Sequence, residues 1–146
     1  MKATDPPIVV EQTFNASIET IWKAITEHDQ MIQWFFDNIP SFKPEVGFTT
    51  QFDVEAGGRN FIHAWKLTEV IPKKKIVYNW KFSNYPGDGY VAFELLEQPD
   101  GQNTLRFTNT IVEDFPEGIP ELTRESCIAG WEYFIQNSLK AYLEEN

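Results

Sequence analysis

The fold of this chain is decided by the segment Ile76–Ser83, which reads IVYNWKFS. Every second residue of the segment is large and apolar or aromatic, and most of the residues between them are polar. Successive side chains of a β-strand point to opposite faces, so this pattern predicts a strand with one buried face and one solvated face. An antiparallel sheet that is covered on one side only has this character. The buried face would carry Ile76, Tyr78, Trp80 and Phe82.

Similar segments flank this strand along the chain. Turn signals rich in glycine, proline and aspartate separate them. Because most of the links between them are short, we expect the strands to pair mainly antiparallel. The predicted strands are Ile8–Phe14, Gly47–Glu55, Asn60–Ile71, Ile76–Ser83, Tyr90–Glu97 and Asn103–Val112.

Two short helices are predicted between the first and second strands. Ser17 is a suitable capping residue for the first helix, and apolar residues then recur at helical spacing from Ile18 to Ile25. The second helix is expected around Asp29–Phe35, with Asp29 as its capping residue.

A long C-terminal helix, predicted over Pro120–Glu144, would cover the dry face of the sheet. Pro120 and Glu121 suit its first turn, and its length would be about 37 Å. Gly130 lies inside this helix at a cost of about 1 kcal/mol relative to alanine, which a close approach to the sheet or space for a ligand could offset. The apolar residues at helical spacing are Ile128, Trp131, Phe134, Ile135, Leu139, Tyr142 and Leu143. The predicted fold class is therefore α+β, a curved antiparallel sheet of six to seven strands wrapped around a long helix.

Composition and charge restrict the classes of protein that this chain can belong to. Its 146 residues fit a single domain, with a core expected over about residues 8–144. The net charge of −10 disfavours binding to nucleic acid and to anionic membranes. Met1–Pro7 has no apolar signal core, and no run is long enough to span a membrane.

The cysteine content points to a reducing compartment and away from a metal site. Cys127 is the single cysteine, so an internal disulfide is excluded, and the spacing of a zinc site is absent. The sequence has no phosphate-binding loop or dinucleotide fingerprint either. We therefore expect no cofactor and a cytoplasmic location.

The order of elements and the residues at their joints resemble the START-like, or SRPBCC, helix-grip superfamily, which includes birch-pollen-allergen-like proteins. Within it, the sequence is similar to the family related to the activator of the ninety-kilodalton heat-shock protein's ATPase. The resemblance implies the helix-grip fold, and it spans roughly Ile8 to Leu143. The stretches that carry it are Phe14–Ile25, Trp34-Phe35, Leu67–Pro72 with Ile76–Trp80, and Gly130-Trp131.

Aromatic residues on the dry face are the broadest candidate for a functional site. Phe, Trp and Tyr make up 15% of the chain, and so much aromatic bulk either fills a thick core or lines a cavity. We predict a cavity between the sheet and the C-terminal helix that binds a small apolar or aromatic molecule. The alternative, that these rings only fill the core, remains open. The predicted ligand-binding residues are Trp34, Phe52, His63, Trp65, Tyr78, Trp80, Phe93, Phe107, Asn109, Trp131 and Phe134.

Polar residues near this face have both a functional and a structural interpretation. His63 could orient a ligand or carry a proton, or it could simply bond to the backbone. Asn109 falls among inward-facing apolar residues, so its amide needs a backbone, water or ligand partner. Charged residues on or beside the Gly57-Gly58 hairpin could select a polar head group or be solvated, and they are Asp53, Glu55, Arg59 and Glu69. Cys127 is expected to be a small buried apolar residue.

Three hypotheses for function follow, in order of preference. The first is a module that binds a small hydrophobic ligand. The second is a protein-interaction domain whose partner is a chaperone or another protein, as the family resemblance implies. The third is a small cyclase or hydrolase that uses His63, Tyr78 or Asn109, but no catalytic residue is assigned because no nucleophile elbow or metal triad is present. The sequence leaves open whether the chain is a monomer or a homodimer.

Overall fold

The computed structural model describes residues 1–145 and contains one sheet, two short helices and a long C-terminal helix. Strand β1 is followed by helices α1 and α2, then by strands β2 to β6, and the chain ends in the helix. The element bounds are β1 Ile8–Phe14, α1 Ile18–Thr26, α2 His28–Trp34, β2 Thr49–Ala56, β3 Arg59–Ile71, β4 Lys75–Phe82, β5 Asp88–Glu97 and β6 Asn103–Glu113.

The six strands form one antiparallel sheet with the order β1-β6-β5-β4-β3-β2. Strands β2 to β6 follow one another as a meander, and β1 pairs with the last strand, so that β1 and β2 form the two edges. A register shift between Leu67 and Glu69 in β3 marks a bulge, which bends the strand and increases its twist. The predicted curved antiparallel sheet is confirmed, with six strands.

Burial alternates along the strands as the sequence pattern requires. In β4, Ile76, Tyr78, Trp80 and Phe82 are buried, and the residues between them are half-buried or exposed. The β6 residues Leu105, Phe107, Asn109 and Ile111 are buried in the same way. The dry face of the sheet therefore carries one continuous aromatic and aliphatic core.

The start of α1 was predicted correctly, and the capping residue of α2 was not. The Ser17 side chain accepts a hydrogen bond from the backbone N–H of Thr20 at 3.1 Å. Helix α2 begins at His28, after the extended residue Glu27, and the Glu27 carbonyl accepts from the N–H of Met31. Asp29 thus lies inside the first turn, because the chain bends at Glu27 directly after α1.

The C-terminal helix begins at Arg124, not at Pro120 as predicted. Pro120–Leu122 forms a single 3₁₀ turn, and the extended Thr123 interrupts the helical path. The Thr123 side chain then accepts from the N–H of Ser126 at 3.2 Å and caps the helix. The start of the C-terminal helix is therefore set by its capping residue Thr123, three residues after Pro120.

The middle of the C-terminal helix is a π-helix. The helix consists of an α-helical segment Arg124–Glu132, a π-helical segment Tyr133–Leu139 and an α-helical segment Lys140–Glu145. Its most buried side chains are those of Trp131, Ile135, Leu139 and Leu143, which recur at every fourth residue. No helix within residues 1–145 is both long and apolar enough to cross a bilayer.

Candidate functional site

A cavity of about 260 Å³ lies between the sheet and the first half of the C-terminal helix. Strands β2, β3, β4 and β6 contribute to its walls, together with the 3₁₀ turn and the Arg124–Glu132 segment. Its walls are mostly apolar and aromatic, as is usual for a small-molecule site. A space is therefore left between the sheet and the helix along the first half of the C-terminal helix.

Aromatic rings from three directions form the walls. Trp80 of β4 packs edge-on against Trp131 of the helix, with ring centroids 5.1 Å apart. Phe36, which follows α2, packs against Phe134 at 5.0 Å. Because these rings belong to different elements, the cavity depends on how the helix, the sheet and the segment after α2 are packed together.

Five of the eleven predicted ligand-binding residues line the cavity. They are His63, Trp80, Asn109, Trp131 and Phe134. The other six, which do not line it, are Trp34, Phe52, Trp65, Tyr78, Phe93 and Phe107. These six are buried in the core, where they pack against other aromatic rings.

Phe35 explains why the dry face is only partly open. Its ring stacks on Trp34 at 4.8 Å and on Trp65 at 5.6 Å, and it meets Phe93 edge-on at 6.5 Å. It also contacts Trp131 of the helix, at 6.0 Å. The residue that ends α2 therefore fills the middle of the space between sheet and helix, and the cavity remains at the hairpin end.

His63 is a buried, neutral residue in the cavity wall. Its side chain is 5% exposed, and its Nδ1 lies 2.9 Å from the carbonyl oxygen of Phe61. The ring stacks on Phe52 at 5.1 Å and meets Phe82 edge-on at 4.8 Å. Desolvation by burial lowers the His63 pKa to about 4, although the bond to Phe61 acts in the opposite direction. The imidazole is thus uncharged at neutral pH.

Asn109 has the backbone partner that its buried position requires. Its Nδ2 donates a hydrogen bond to the carbonyl oxygen of Tyr90 at 3.1 Å. Its Oδ1 accepts no hydrogen bond from the residues that the structure describes. The indole N–H groups of Trp80 and Trp131 likewise lack a partner within the described chain. Residues that line the cavity therefore retain both acceptor and donor groups that no described residue uses.

A salt bridge links the β2–β3 hairpin to the 3₁₀ turn beside the cavity. Arg59 Nη1 lies 2.8 Å from Glu121 Oε1, and Glu121 also lines the cavity. Gly57 has a φ of +60°, and a Cβ at that position would lie 2.6 Å from Glu121 Oε2. The hairpin can approach the carboxylate this closely because residue 57 is a glycine.

Gly130 faces open space in the cavity wall. A Cβ built at this position would meet nothing within 4 Å, and the residue lines the cavity. Of the two explanations offered by the sequence, the structure favours space over a close approach to the sheet.

Cys127 also lines the cavity, and its thiol donates to the Glu121 carbonyl at 3.7 Å. Burial raises the pKa of that thiol to about 11, so it remains protonated at neutral pH.

Sequence reasoning missed many of the residues that line the cavity. The apolar residues that it missed are Met1, Phe36, Val54, Ala56, Phe61, Phe82, Ile111, Phe115 and Leu122. Phe61, Phe82 and Ile111 share a strand face with His63, Trp80 and Asn109 respectively, so simple alternation could have identified them. Phe36 and Phe115 lie outside the strands, and no periodic pattern marks them.

The arrangement is suited to binding and poorly suited to acid–base chemistry at neutral pH. Tyr78, one of the three residues considered for catalysis, is buried away from the cavity, and burial raises its pKa well above the ordinary value. A histidine with a pKa of about 4 is a weak base. No cluster of potential metal ligands occurs among the described residues.

Comparison with known proteins places this geometry in context. The family model described as Activator of Hsp90 ATPase homolog 1-like protein matches residues 15–144. No curated protein matched the chain. The solution structure of the Aha1 dimer from Colwellia psychrerythraea is 27% identical, with a TM-score of 0.74, and the match covers 96% of this chain and 97% of that one.

Two further solved structures share the fold at lower identity. A protein from Chromobacterium violaceum is 20% identical with a TM-score of 0.77, over 96% of this chain and 98% of its own. DynU16, a protein in the dynemicin biosynthetic locus, is 22% identical with a TM-score of 0.75, over 96% of this chain and 48% of its own. At these identities the likeness is one of fold.

Proposed function

The chain belongs to the Activator of Hsp90 ATPase homolog 1-like family. We propose that this member of the family binds a small apolar or aromatic molecule in the cavity. The observation that carries this proposal is the unfilled space of about 260 Å³ with largely aromatic walls. The space opens to solvent on one side, and its mostly apolar walls are the usual setting for a small-molecule site. A ligand that covered these walls would gain about 25 cal/mol per Å² of apolar surface removed from water.

The volume indicates the size of the ligand part that the pocket can enclose. An apolar cavity of about 150 Å³ is sufficient for benzene. The cavity here is larger, at about 260 Å³, and is suited to a molecule of about two fused rings. The rings of Trp80 and Trp131, which pack edge-on against each other in the wall, could contact such a ligand.

Gly130 supports a role for the space itself. Glycine inside a helix costs about 1 kcal/mol relative to alanine, and nothing within 4 Å of Gly130 would obstruct a methyl group. Packing therefore does not require glycine at this position. A requirement to keep the cavity wide would account for it.

Tryptophan fluorescence provides a direct test, because Trp80 and Trp131 line the cavity. Naphthalene would be titrated into the wild-type protein, into Gly130→Leu and into the matched control Ala129→Leu. Ala129 is exposed on the same helix, so its leucine adds the same side chain outside the cavity. We expect saturable quenching in the wild type and the control, and at least tenfold weaker binding in Gly130→Leu. Unchanged binding in a folded Gly130→Leu variant, or no binding by the wild type, would contradict the proposal.

The natural ligand can be sought by native mass spectrometry of gently purified protein. A retained molecule should be released on unfolding and should be absent from Gly130→Leu but present in Ala129→Leu. Its identity would then name the ligand, which the family and the cavity alone do not specify.

A protein-interaction role is a second candidate, supported by exposed apolar side chains on the outer side of the sheet. Val9, Tyr90 and Val112 are 55%, 37% and 46% exposed and lie on the adjacent strands β1, β5 and β6. The partner would be the chaperone of the family's name, another protein or a second copy, as in the Colwellia psychrerythraea dimer. We place the chain in the cytoplasm as part of the same proposal. If added protein leaves the ATPase rate of Hsp90 unchanged, the chaperone role should be abandoned, and a monomeric mass at high concentration would argue against the dimer.

A further inference from the structure

The tautomer of His63 follows from its bond to the backbone. A carbonyl oxygen can only accept, so the contact of 2.9 Å between His63 Nδ1 and the Phe61 carbonyl requires the proton to be on Nδ1. In a neutral imidazole the other nitrogen then carries a lone pair and no proton. His63 Nε2 is therefore a fixed hydrogen-bond acceptor.

This acceptor is unused by the protein and is not sealed within it. Nε2 has no hydrogen-bond partner among the described residues. Within that part of the chain, the polar side-chain atom that is both fully buried and unpartnered is Trp65 Nε1. His63 Nε2 is therefore not fully buried and retains some accessible surface. His63 is 95% buried yet lines the cavity. The surface that Nε2 retains must then face the cavity, where a ligand can reach it.

The charged groups around the cavity do not select for one sign of ligand charge. Glu121 lines the cavity and is paired with Arg59 at 2.8 Å. Met1 also lines it, and its N-terminal ammonium donates to the Leu122 carbonyl at 3.3 Å. Selection must therefore come from the hydrogen-bonding groups, and an ionised carboxylate has no proton to donate to the acceptor His63 Nε2.

A hydroxyl group best matches the remaining polar atoms. It can donate to His63 Nε2, and its oxygen can itself accept a hydrogen bond. Asn109 Oδ1 offers a further acceptor on β6. A ketone, an ether or a hydrocarbon cannot donate and would leave the acceptors unsatisfied.

We infer that the cavity selects hydroxylated aromatic molecules of the phenol or naphthol type, with the hydroxyl group donating to His63 Nε2. This inference rests on the proposed ligand-binding function and names the chemical class that the same site takes. His63 is then a specificity-determining residue.

A matched series of naphthalene probes tests this inference at about pH 7.5, where 2-naphthol is neutral and 2-naphthoate is ionised. The series is naphthalene, 2-naphthol, 2-methoxynaphthalene and 2-naphthoate. For the wild type we expect 2-naphthol to bind about tenfold tighter than naphthalene, which corresponds to about 1.4 kcal/mol. We expect the methyl ether and the naphthoate, which have no proton to donate to His63 Nε2, to bind less tightly than 2-naphthol.

The variant His63→Phe removes the acceptor and keeps an aromatic ring among Phe52, Phe82 and their neighbours. The ratio of its affinities for 2-naphthol and naphthalene should fall from about tenfold to about one, whatever its absolute affinity for naphthalene. The comparison of 2-naphthol with its methyl ether uses only the wild type, so the inference remains testable even if the variant does not fold.

The outcomes separate this inference from the proposed function. Equal binding of naphthalene, 2-naphthol and the methyl ether would overturn the inference while ligand binding stands. Preferential binding of 2-naphthoate would also overturn it. If none of the four probes binds the folded wild type, both the inference and the proposed function fail.

Discussion

Lowering the pH from about 8 to about 5 should destabilise the wild-type protein through His63. The His63 pKa is about 4 in the folded state, against 6.5 for an unperturbed histidine. Between these values the unfolded chain binds one more proton than the folded chain, so its stability falls as the pH falls. The contribution of the neutral His63 to the free energy of unfolding is fully present above pH 6.5 and is lost progressively as the pH falls toward 4.

The size of this effect follows from the linkage between protonation and folding. Each pH unit below 6.5 removes about 1.4 kcal/mol, so about 2 kcal/mol should be lost at pH 5. On the protein side the imidazole contacts aromatic rings and the Phe61 carbonyl, and no ion pair or hydrogen bond joins it to a charged side chain within the described chain. Desolvation therefore has no ionic partner to offset it.

Urea unfolding followed by circular dichroism measures this effect. The free energy of unfolding should be determined at about pH 8 and about pH 5 for the wild type and for His63→Phe. The other titratable groups, including His28, are common to both proteins, so the difference between their pH dependences isolates His63. We expect the wild type to lose about 2 kcal/mol more than the variant. Equal losses in the two proteins would refute the view that His63 is held neutral by burial.

Three further predictions concern the helix side of the cavity. Gly130→Ala should raise the free energy of unfolding by about 1 kcal/mol, since the methyl group fits without contact, and a loss of stability on urea unfolding would show that the space is not free. Cys127, with a pKa of about 11, should react with Ellman's reagent far more slowly in the folded protein than in urea at about pH 8, and equal rates would contradict its burial. Trp131→Ala should lower the free energy of unfolding in urea by about 3–5 kcal/mol, because the Trp131 and Phe107 ring centroids are 4.0 Å apart. A loss below about 1 kcal/mol would show that the ring is loosely packed.

Much of the fold could be predicted from side-chain periodicity. Strand β4 alternates so regularly that its buried face was correctly identified residue by residue. Ser17 identified the start of α1 because its hydroxyl group is followed at once by apolar residues at helical spacing. Errors arose where two local signals competed, as at Pro120 and Thr123, where the capping threonine rather than the proline set the start of the helix.

The location of the cavity could not be predicted, because it depends on which ring fills the space. Phe52, Trp65, Tyr78 and Trp80 belong to one dry face, and nothing in their spacing distinguishes a core residue from a cavity residue. That distinction is made by Phe35, which enters from the end of α2. Gly130 was the one local signal of empty space within a regular element.

The π-helical segment Tyr133–Leu139 determines the rotational phase of everything after it. Residues four apart drift by about 40° around a regular α-helix, so a row at every fourth residue would wind away from the sheet. Hydrogen bonding from i to i+5 turns the chain less per residue and corrects that drift. Removing one residue from the segment would favour an ordinary α-helix but would rotate Leu143 by about 100° relative to Trp131. The wider π-helical turn thus keeps the cavity-lining segment Arg124–Glu132 and the C-terminal segment Lys140–Glu145 facing the same sheet.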